Sequence, residues 1–216
     1  MVRIYNRDCM QAMQGMKTAE YDLAIVDPPY GIGMDKKHFV SDSSQTIAGE
    51  YTNKTWDTEA PSPQYFQELQ RVSKHQIIFG ANHFIESIPN ANSSCWIVWD
   101  KNNGSSIHAD CELAYASFKT SVRMVRYTWH GMRQENMKNK EHRIHPTQKP
   151  VTLYYFLLQK YAKPGWKILD THLGSGSIAI ACHDLGFDFD GFELDKEYYD
   201  NAMKRFRLHA RQRKLF

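Results

Sequence analysis

The chain has 216 residues, 42% of them hydrophobic and 24% charged, with a formal net charge of +3. That is enough for one domain with a full core. No apolar run approaches the roughly 20 residues of a membrane helix, and Met1-Val-Arg-Ile-Tyr5 is not a signal peptide, so the expectation is a cytoplasmic protein without membrane contact. Cys9, Cys95, Cys111 and Cys182 form no Cys-x-x-Cys pair and the ten histidines no His-Glu-x-x-His, which argues against a metal site.

In chain order, Val2 to Tyr5 predicts a strand and residues 8–16 a short helix with Cys9, Ala12, Met13 and Met16 on one face. Tyr21 to Val26 is a short run rich in β-formers and predicts a buried strand. Residues 31–60 form a long polar segment, a length that is usually functional or mobile. Ser62-Pro63 opens a helix by the N-cap and first-turn-proline signals, with Tyr65, Phe66, Leu69 and Val72 as its apolar face. Strands are predicted at Gln76 to Gly80, Cys95 to Trp99 and Glu112 to Phe118, with a short helix at Asn82 to Ile88. Residues 121–128 alternate weakly and predict an edge partner for the 112–118 strand.

Thr147 predicts the cap of a helix reaching Ala162, ended by Lys163-Pro-Gly165. A strand at Trp166 to Asp170, a helix at Ile178 to Leu185, a strand at Asp188 to Glu193 and a helix capped by Asp195 complete the pattern. Its basic end, Lys204 to Lys214, reads as a complement to the helix C-terminus and a solvated face. Strands alternating with helices predict an α/β fold with a mostly parallel sheet. Ligands in such sheets bind beyond the carboxyl ends of the strands. Asp8, Asp27, Asp170 and Glu193 all fall at predicted strand ends, which places a candidate site there.

Two stretches carry the chemistry. Asp27-Pro28-Pro29-Tyr30 follows the buried strand. Its prolines stiffen the backbone and donate no hydrogen bond, leaving carbonyls free to accept. A carboxylate, a free carbonyl and an aromatic plate held rigid suit a planar ring bearing an amino group; a plain Pro-Pro turn would look similar. The second is Asp170-Thr-His-Leu-Gly174-Ser-Gly176-Ser177. Its glycines allow close approach to the backbone at a helix start. The third glycine of a dinucleotide fingerprint is missing, and no phosphate-loop lysine is present.

The tetrapeptide resembles the catalytic motif of DNA methyltransferases that modify exocyclic base amines. The glycine loop resembles their S-adenosylmethionine motif, and His145-Pro-Thr-Gln-Lys-Pro150 resembles the helix-leading motif before it. The order, catalytic motif first and cofactor motif late, resembles the β group. The resemblance implies a Rossmann-like methyltransferase fold in permuted order: a twisted, mostly parallel sheet with helices on both faces. It implies one catalytic domain over residues 1–216, S-adenosylmethionine as cofactor and double-stranded DNA as partner. Asp27, Pro28, Pro29 and Tyr30 would then be catalytic, Asp27 and Pro28 also bordering the cofactor.

The implied cofactor contacts are Asp8 and Cys9 at the adenine, Glu193 at the ribose hydroxyls and Leu194 against the adenine ring. Thr147, Gln148 and Lys149 would meet the carboxylate. Asp170 would serve the methionine end, and His172, Leu173, Gly174, Ser175, Gly176 and Ser177 would also border the cofactor. One departure is Thr171-His172, where the family usually has Pro-Phe. A leading Asp in the tetrapeptide favours adenine in that family and a leading Ser cytosine, so adenine is expected and cytosine is the alternative. An RNA or glutamine-amide methyltransferase and a non-catalytic nucleotide-binding module are the further rivals. A homodimer and a cognate restriction enzyme are left open. Residues 119–149 carry eight Lys/Arg against Glu135 and Glu141, so this stretch and the 31–60 loop are expected to face DNA.

Overall fold

The computed structural model describes residues 1–33, 57–104, 109–130 and 133–212. Most of the 31–60 segment lies outside the described residues. Ten strands and five α-helices follow one another among the described residues: β1 (Val2–Asn6), α1 (Cys9–Gln14), β2 (Tyr21–Val26), α2 (Pro63–Val72), β3 (Ser73–Phe79), β4 (Cys95–Asp100), β5 (Cys111–Ala116), β6 (Arg123–Arg126), β7 (Trp129–His130), β8 (Arg133–Gln134), α3 (Val151–Tyr161), β9 (Lys167–Asp170), α4 (Ser177–Leu185), β10 (Asp188–Glu193) and α5 (Lys196–Arg211). The eight-stranded sheet has the order β1-β10-β9-β2-β3-β5-β4-β6, and β7 and β8 form a small hairpin.

β5 alone runs against its neighbours in the large sheet. The first strand lies beside the last, with Val2 opposite Phe189 and Asn6 opposite Glu193. The two ends of the chain therefore build one side of the sheet. Between β9 and β2 the winding reverses, since β9 leads through α4 to β10 on one side and β2 through α2 to β3 on the other. Open parallel sheets bind ligands at such a crevice.

The β2 sequence shows why it is buried on both faces. Leu23 and Ile25 join one core with Ile77, Phe79, Ile168, Leu157 and Ile178. Ala24 and Val26 join the other, with Ile78, Leu169, Met13, Phe66 and Leu69. Successive strand side chains point to opposite faces, so a continuous apolar run serves two helix layers at once. Burying each large side chain contributes roughly 1.5–3 kcal/mol, so truncating Leu157 or Phe66 would be costly.

Local chemistry sets the helix starts. Asp8 caps α1 by accepting from the Gln11 N–H, and Asp195 caps α5 by accepting from those of Glu197 and Tyr198. Ser62 precedes Pro63 at the start of α2. Three expectations need correction. α3 starts at Val151 with Pro150 as its cap residue, because the Thr147 hydroxyl and N–H are both turned to His145 Nδ1 (3.2 and 3.3 Å). The segment expected as a helix at 82–88 makes two separate 3₁₀ turns, Ala81–His83 and Ile85–Ser87, with Phe84 between them in a non-helical conformation. β6 pairs parallel with β4, not with the 112–118 strand, because β5 is already flanked by β3 and β4. No described helix is long and apolar enough to cross a membrane.

Candidate functional site

The four strand-end acids fall along one edge of the sheet. Glu193 and Asp170 are the last residues of β10 and β9, Asp27 follows β2, and Asp8 follows β1 by two residues. On the β1-β10-β9 side the partners of these acids are backbone amides. Glu193 accepts from the Gly174 N–H (2.8 Å) and the Asp195 N–H (2.9 Å), tying the glycine loop to the start of α5. Asp170 accepts from the His172 N–H (3.0 Å). Burial raises the Asp170 carboxyl to about 8, against the help of that N–H and with the nearby charges of Asp27 and Glu193 adding. Glu193 is raised by burial too.

The glycine loop is set by conformation. Gly174 and Gly176 have φ of +51° and +72°, where a side chain would be strained. A Cβ on Gly176 would also lie 3.3 Å from that of Ala202 in α5. Leu173 is buried, and Leu194 is 68% exposed at the rim. Cys9 is partly buried at the start of α1, its thiol pushed up to about 12 by burial. Thr171 and His172 make a polar cluster with Tyr65 of α2. The Tyr65 hydroxyl lies 2.6 Å from Thr171 Oγ1, which lies 3.0 Å from His172 Nδ1. Burial lowers His172 to about 4, so its ring is neutral.

On the β2-β3-β5 side the acids meet cations. Asp27 accepts from the Tyr30 hydroxyl (2.8 Å) on one oxygen and from the Lys149 ammonium on the other. Lys149 Nζ is also 3.1 Å from Glu112 Oε2, and Lys101 Nζ is 2.6 Å from Glu112 Oε1. Only 3% of the Lys149 side chain is exposed. Burial would raise the Glu112 carboxyl, but Lys149 and Lys101 hold it down at about 2. Asp27 is raised instead, because burial and the Glu112 charge outweigh Lys149.

Pro28 is buried and Pro29 half-buried. The Tyr30 ring stacks on His83 with centroids 5.1 Å apart. It presses on Gly80, where a Cβ would come within 2.1 Å of it. Asp57 Oδ1 braces the turn by accepting from the Tyr30 and Gly31 N–H groups (2.7 and 3.0 Å).

A strap over residues 141–150 ties the two sides together. The His145 ring packs edge-on against Tyr198 at 4.3 Å. It lines the side of the loop at Gly174, 3.8 Å from where a Cβ would stand. Gln148 is turned inward, receiving the Ile144 N–H on Oε1 (3.0 Å) and the Trp129 indole N–H on its carbonyl (2.7 Å). The Ser177 hydroxyl donates to the Lys149 carbonyl (2.7 Å), and Ser175 Oγ sits 3.1 Å from Ser177 Oγ. Arg205 of α5 donates to the Ser175 carbonyl, Ser177 Oγ and Glu141 Oε2 (2.9, 2.8 and 2.6 Å). It thus departs from the solvated face expected of the basic end of α5.

Glu112, Lys101, Tyr65, His145, Glu141 and Arg205 were not among the candidate site residues. Glu112 had a legible signal: an acid at the head of Leu-Ala-Tyr-Ala in a central strand needs a cation. The partner itself, 37 residues on, had none.

Most of the sequence-expected residues are therefore brought together in two groups whose chemistry fits S-adenosylmethionine, while Thr147 and Gln148 are taken up by contacts within the strap. Among the described residues Asp8, Asp170 and Glu193 make no ion pair with a side chain, which leaves a cleft of carboxyl groups without a counter-ion, Asp170 being held largely protonated by burial until a cation arrives. A ligand with an aminium, a sulfonium and ribose hydroxyls matches that donor set. The N–H of Gly174 and the exposed Leu194 frame the same end.

Comparison with known proteins agrees. A DNA methylase family model matches residues 98–204. The chain is 25% identical to the type II methyltransferase M.HpaI of Haemophilus parainfluenzae over 240 residues, covering 94% of this chain and 73% of that one. It is 22% identical to M.HinfI of Haemophilus influenzae, covering 94% and 68%. The fold is similar to that of M1.HpyAVI in its S-adenosylmethionine complex, with a TM-score of 0.56 at 22% identity, covering 95% and 100% of the two chains. It is also similar to that of the cytosine-N4-specific PvuII DNA methyltransferase, with a TM-score of 0.61 at 11% identity, covering 95% and 86%. With its glycine loop late in the chain and its first strand beside its last, this chain has the motif order of the β group, and its similarity to these proteins supports a DNA amino-methyltransferase that uses S-adenosylmethionine.

Proposed function

We propose that the protein methylates the exocyclic amine of adenine in double-stranded DNA, as a single catalytic domain. The observation that carries this reading is the Asp27 carboxylate at the end of β2, next to β9 and its Asp170 across the crevice. An aromatic amine is a poor nucleophile because its lone pair is delocalised into the ring. N–H bonds donated to Asp27 and the Pro28 carbonyl would draw the nitrogen towards tetrahedral geometry and aim the lone pair. The gain is orientation and electrostatics, without a covalent enzyme intermediate. Bound S-adenosylmethionine supplies the electrophilic methyl group. Asp8 and Glu193 would hold its nucleoside, Asp170 its aminium, and Leu194 its adenine face.

A base in a duplex is out of reach, so it must be flipped out, and Tyr30 with its braced backbone would be its stacking platform. Exposed bases at Arg133, Lys138 and Lys140 beside the small hairpin would hold the phosphates. Adenine is chosen over cytosine because the tetrapeptide begins with an acid. The test is mass analysis of nucleosides from duplex DNA incubated with enzyme and cofactor. N6-methyladenine is expected. N4-methylcytosine would overturn the choice of base, and no methylated nucleoside would overturn the function.

A further inference from the structure

Both oxygens of the proposed acceptor are already engaged, one by the Tyr30 hydroxyl and the other by the Lys149 ammonium. An incoming amine must compete for them. Lys149 arrives from the strap, 122 residues away in sequence, and is buried between two carboxylates. The second of these, Glu112, stands at the start of the antiparallel strand β5 and is shared with Lys101.

We propose that Glu112 is a positioning residue that controls how tightly Lys149 holds Asp27, and so whether Asp27 is open to the target amine. This rests on the preceding reading of Asp27 as the amine's acceptor. A buried ammonium leaving its only counter-ion would incur the full penalty of an unpaired charge. With Glu112 beside it, Lys149 stays paired while Asp27 Oδ2 is released. Lys101 tempers this, because Glu112 divides its charge between two ammonium groups. The Phe79 ring, 4.6 Å from Lys149 Nζ, supports the cation from the β3 side. No bond changes in this step: one ion pair is exchanged for another at the same site.

The titratable groups around Lys149 are Asp27 and Tyr30 after β2, Glu112 on β5, Tyr154 on α3 and Asp170 at the end of β9, with Lys101 beyond Glu112. Glu112→Gln removes the alternative anion and leaves the shape. Single-turnover methyl transfer at saturating duplex should fall at least about tenfold at neutral pH, the scale of losing one charged hydrogen bond. Cofactor affinity by calorimetry should be unchanged. Glu112 favours the charged form of Lys149, so its loss lowers the lysine's pKa. Transfer by the variant should therefore recover as pH rises and Lys149 deprotonates, a limb absent from the wild-type profile.

Lys101→Met should act in the opposite direction, transferring as fast as wild type or faster, because Glu112 then belongs to Lys149 alone. Wild-type rates in Glu112→Gln, a slow variant with an unshifted pH profile, or equal losses in both variants would each overturn the proposal. Nitrogen-15 titration of Lys149 in the cofactor-bound protein reads the linkage without activity. A lower pKa in Glu112→Gln supports it and an unchanged one overturns it. Absence of any DNA methylation by the wild-type protein would instead count against the functional reading.

Discussion

The two sides of the crevice hold their acids differently. On the β1-β10-β9 side, Asp8, Asp170 and Glu193 accept from the backbone N–H groups of residues two to nineteen positions away. On the β2-β3-β5 side, Asp27 and Glu112 are held by the side chains of Lys149 and Lys101. Backbone amides compensate a buried carboxylate only partly, so the acids of the first side lack a counter-ion, and Asp170 keeps its proton until a cationic ligand supplies one. Full ion pairs cancel charge, so the second side is nearly neutral and suits an uncharged base amine. One sheet edge thus offers two environments suited to the two reactants.

The sharpest way to break this contrast is Asp27→Ala. Methyl transfer should fall by about a thousandfold or more, the scale of removing a preorganised electrostatic contact at a reacting group. Calorimetric cofactor affinity should stay within a few-fold, because the cofactor side is held by other acids. An Asp27→Ala enzyme that still transfers at a substantial rate would remove the division of labour altogether.

Next in size are the cofactor acids. Glu193→Ala and Asp8→Ala should each weaken cofactor binding about tenfold or more, from roughly 1.5–3 kcal/mol for a hydrogen bond to a charged group. Glu193→Ala should cost more than Asp8→Ala, because it also unties Gly174 from α5. An Asp8 variant with unchanged affinity would mean that the first strand, though paired with β10, contributes nothing to the ligand.

The same contrast explains what could be read in advance. The fold was legible because β2, β9 and β10 announce themselves locally, by apolar runs ending in an acid and followed by a turn or cap. The strand-end acids followed from that. Lys149 stands in the His145–Pro150 motif, where the resemblance points it to the cofactor, and nothing in its neighbourhood reveals a carboxylate 122 residues earlier. Arg205 was hidden among Lys204, Arg207 and Arg211, whose charge pattern reads as a solvated helix end. Only the packing of α5 on the glycine loop singles it out. Side-chain ion pairs across the sheet depend on tertiary contacts, whereas the caps at Asp8 and Asp195 depend on the next few residues.

A smaller effect should report the missing counter-ion directly. Burial raises Asp170 from an ordinary 3.8 to about 8, so in the free protein at pH 7 it is mostly protonated. The sign follows: this carboxyl's stabilising share is complete below 3.8 and is lost as pH rises towards about 8. A bound aminium would favour the carboxylate and expel the proton. Calorimetry at pH 7 in buffers of different ionisation enthalpy should therefore show release of up to about one proton on cofactor binding. Asp170→Asn should abolish that release. Equal heats in all buffers would place the cation elsewhere.

The smallest effect concerns the outer surface, where the basic stretch can be sorted by contact. Arg126 is paired with Asp100 (2.7 Å), and the Arg143 guanidinium lies 4.5 Å over the Trp129 ring. Lys138 and Lys140 are exposed beyond the small hairpin. Phosphate contacts release counterions, so each one removed should flatten the slope of log K against log salt by about 0.9. Replacing Lys138 and Lys140 together should flatten it by about twice that and weaken all duplexes alike, because phosphates carry no sequence information. Arg143→Ala should instead lower the unfolding temperature with little change in slope, because its stacked stem packs as well as carries charge. Fluorescence titrations of one duplex at several salt concentrations would decide it. A steep loss of slope in the Arg143 variant, with none in the lysine pair, would put the phosphate track along the strap instead of the hairpin tip.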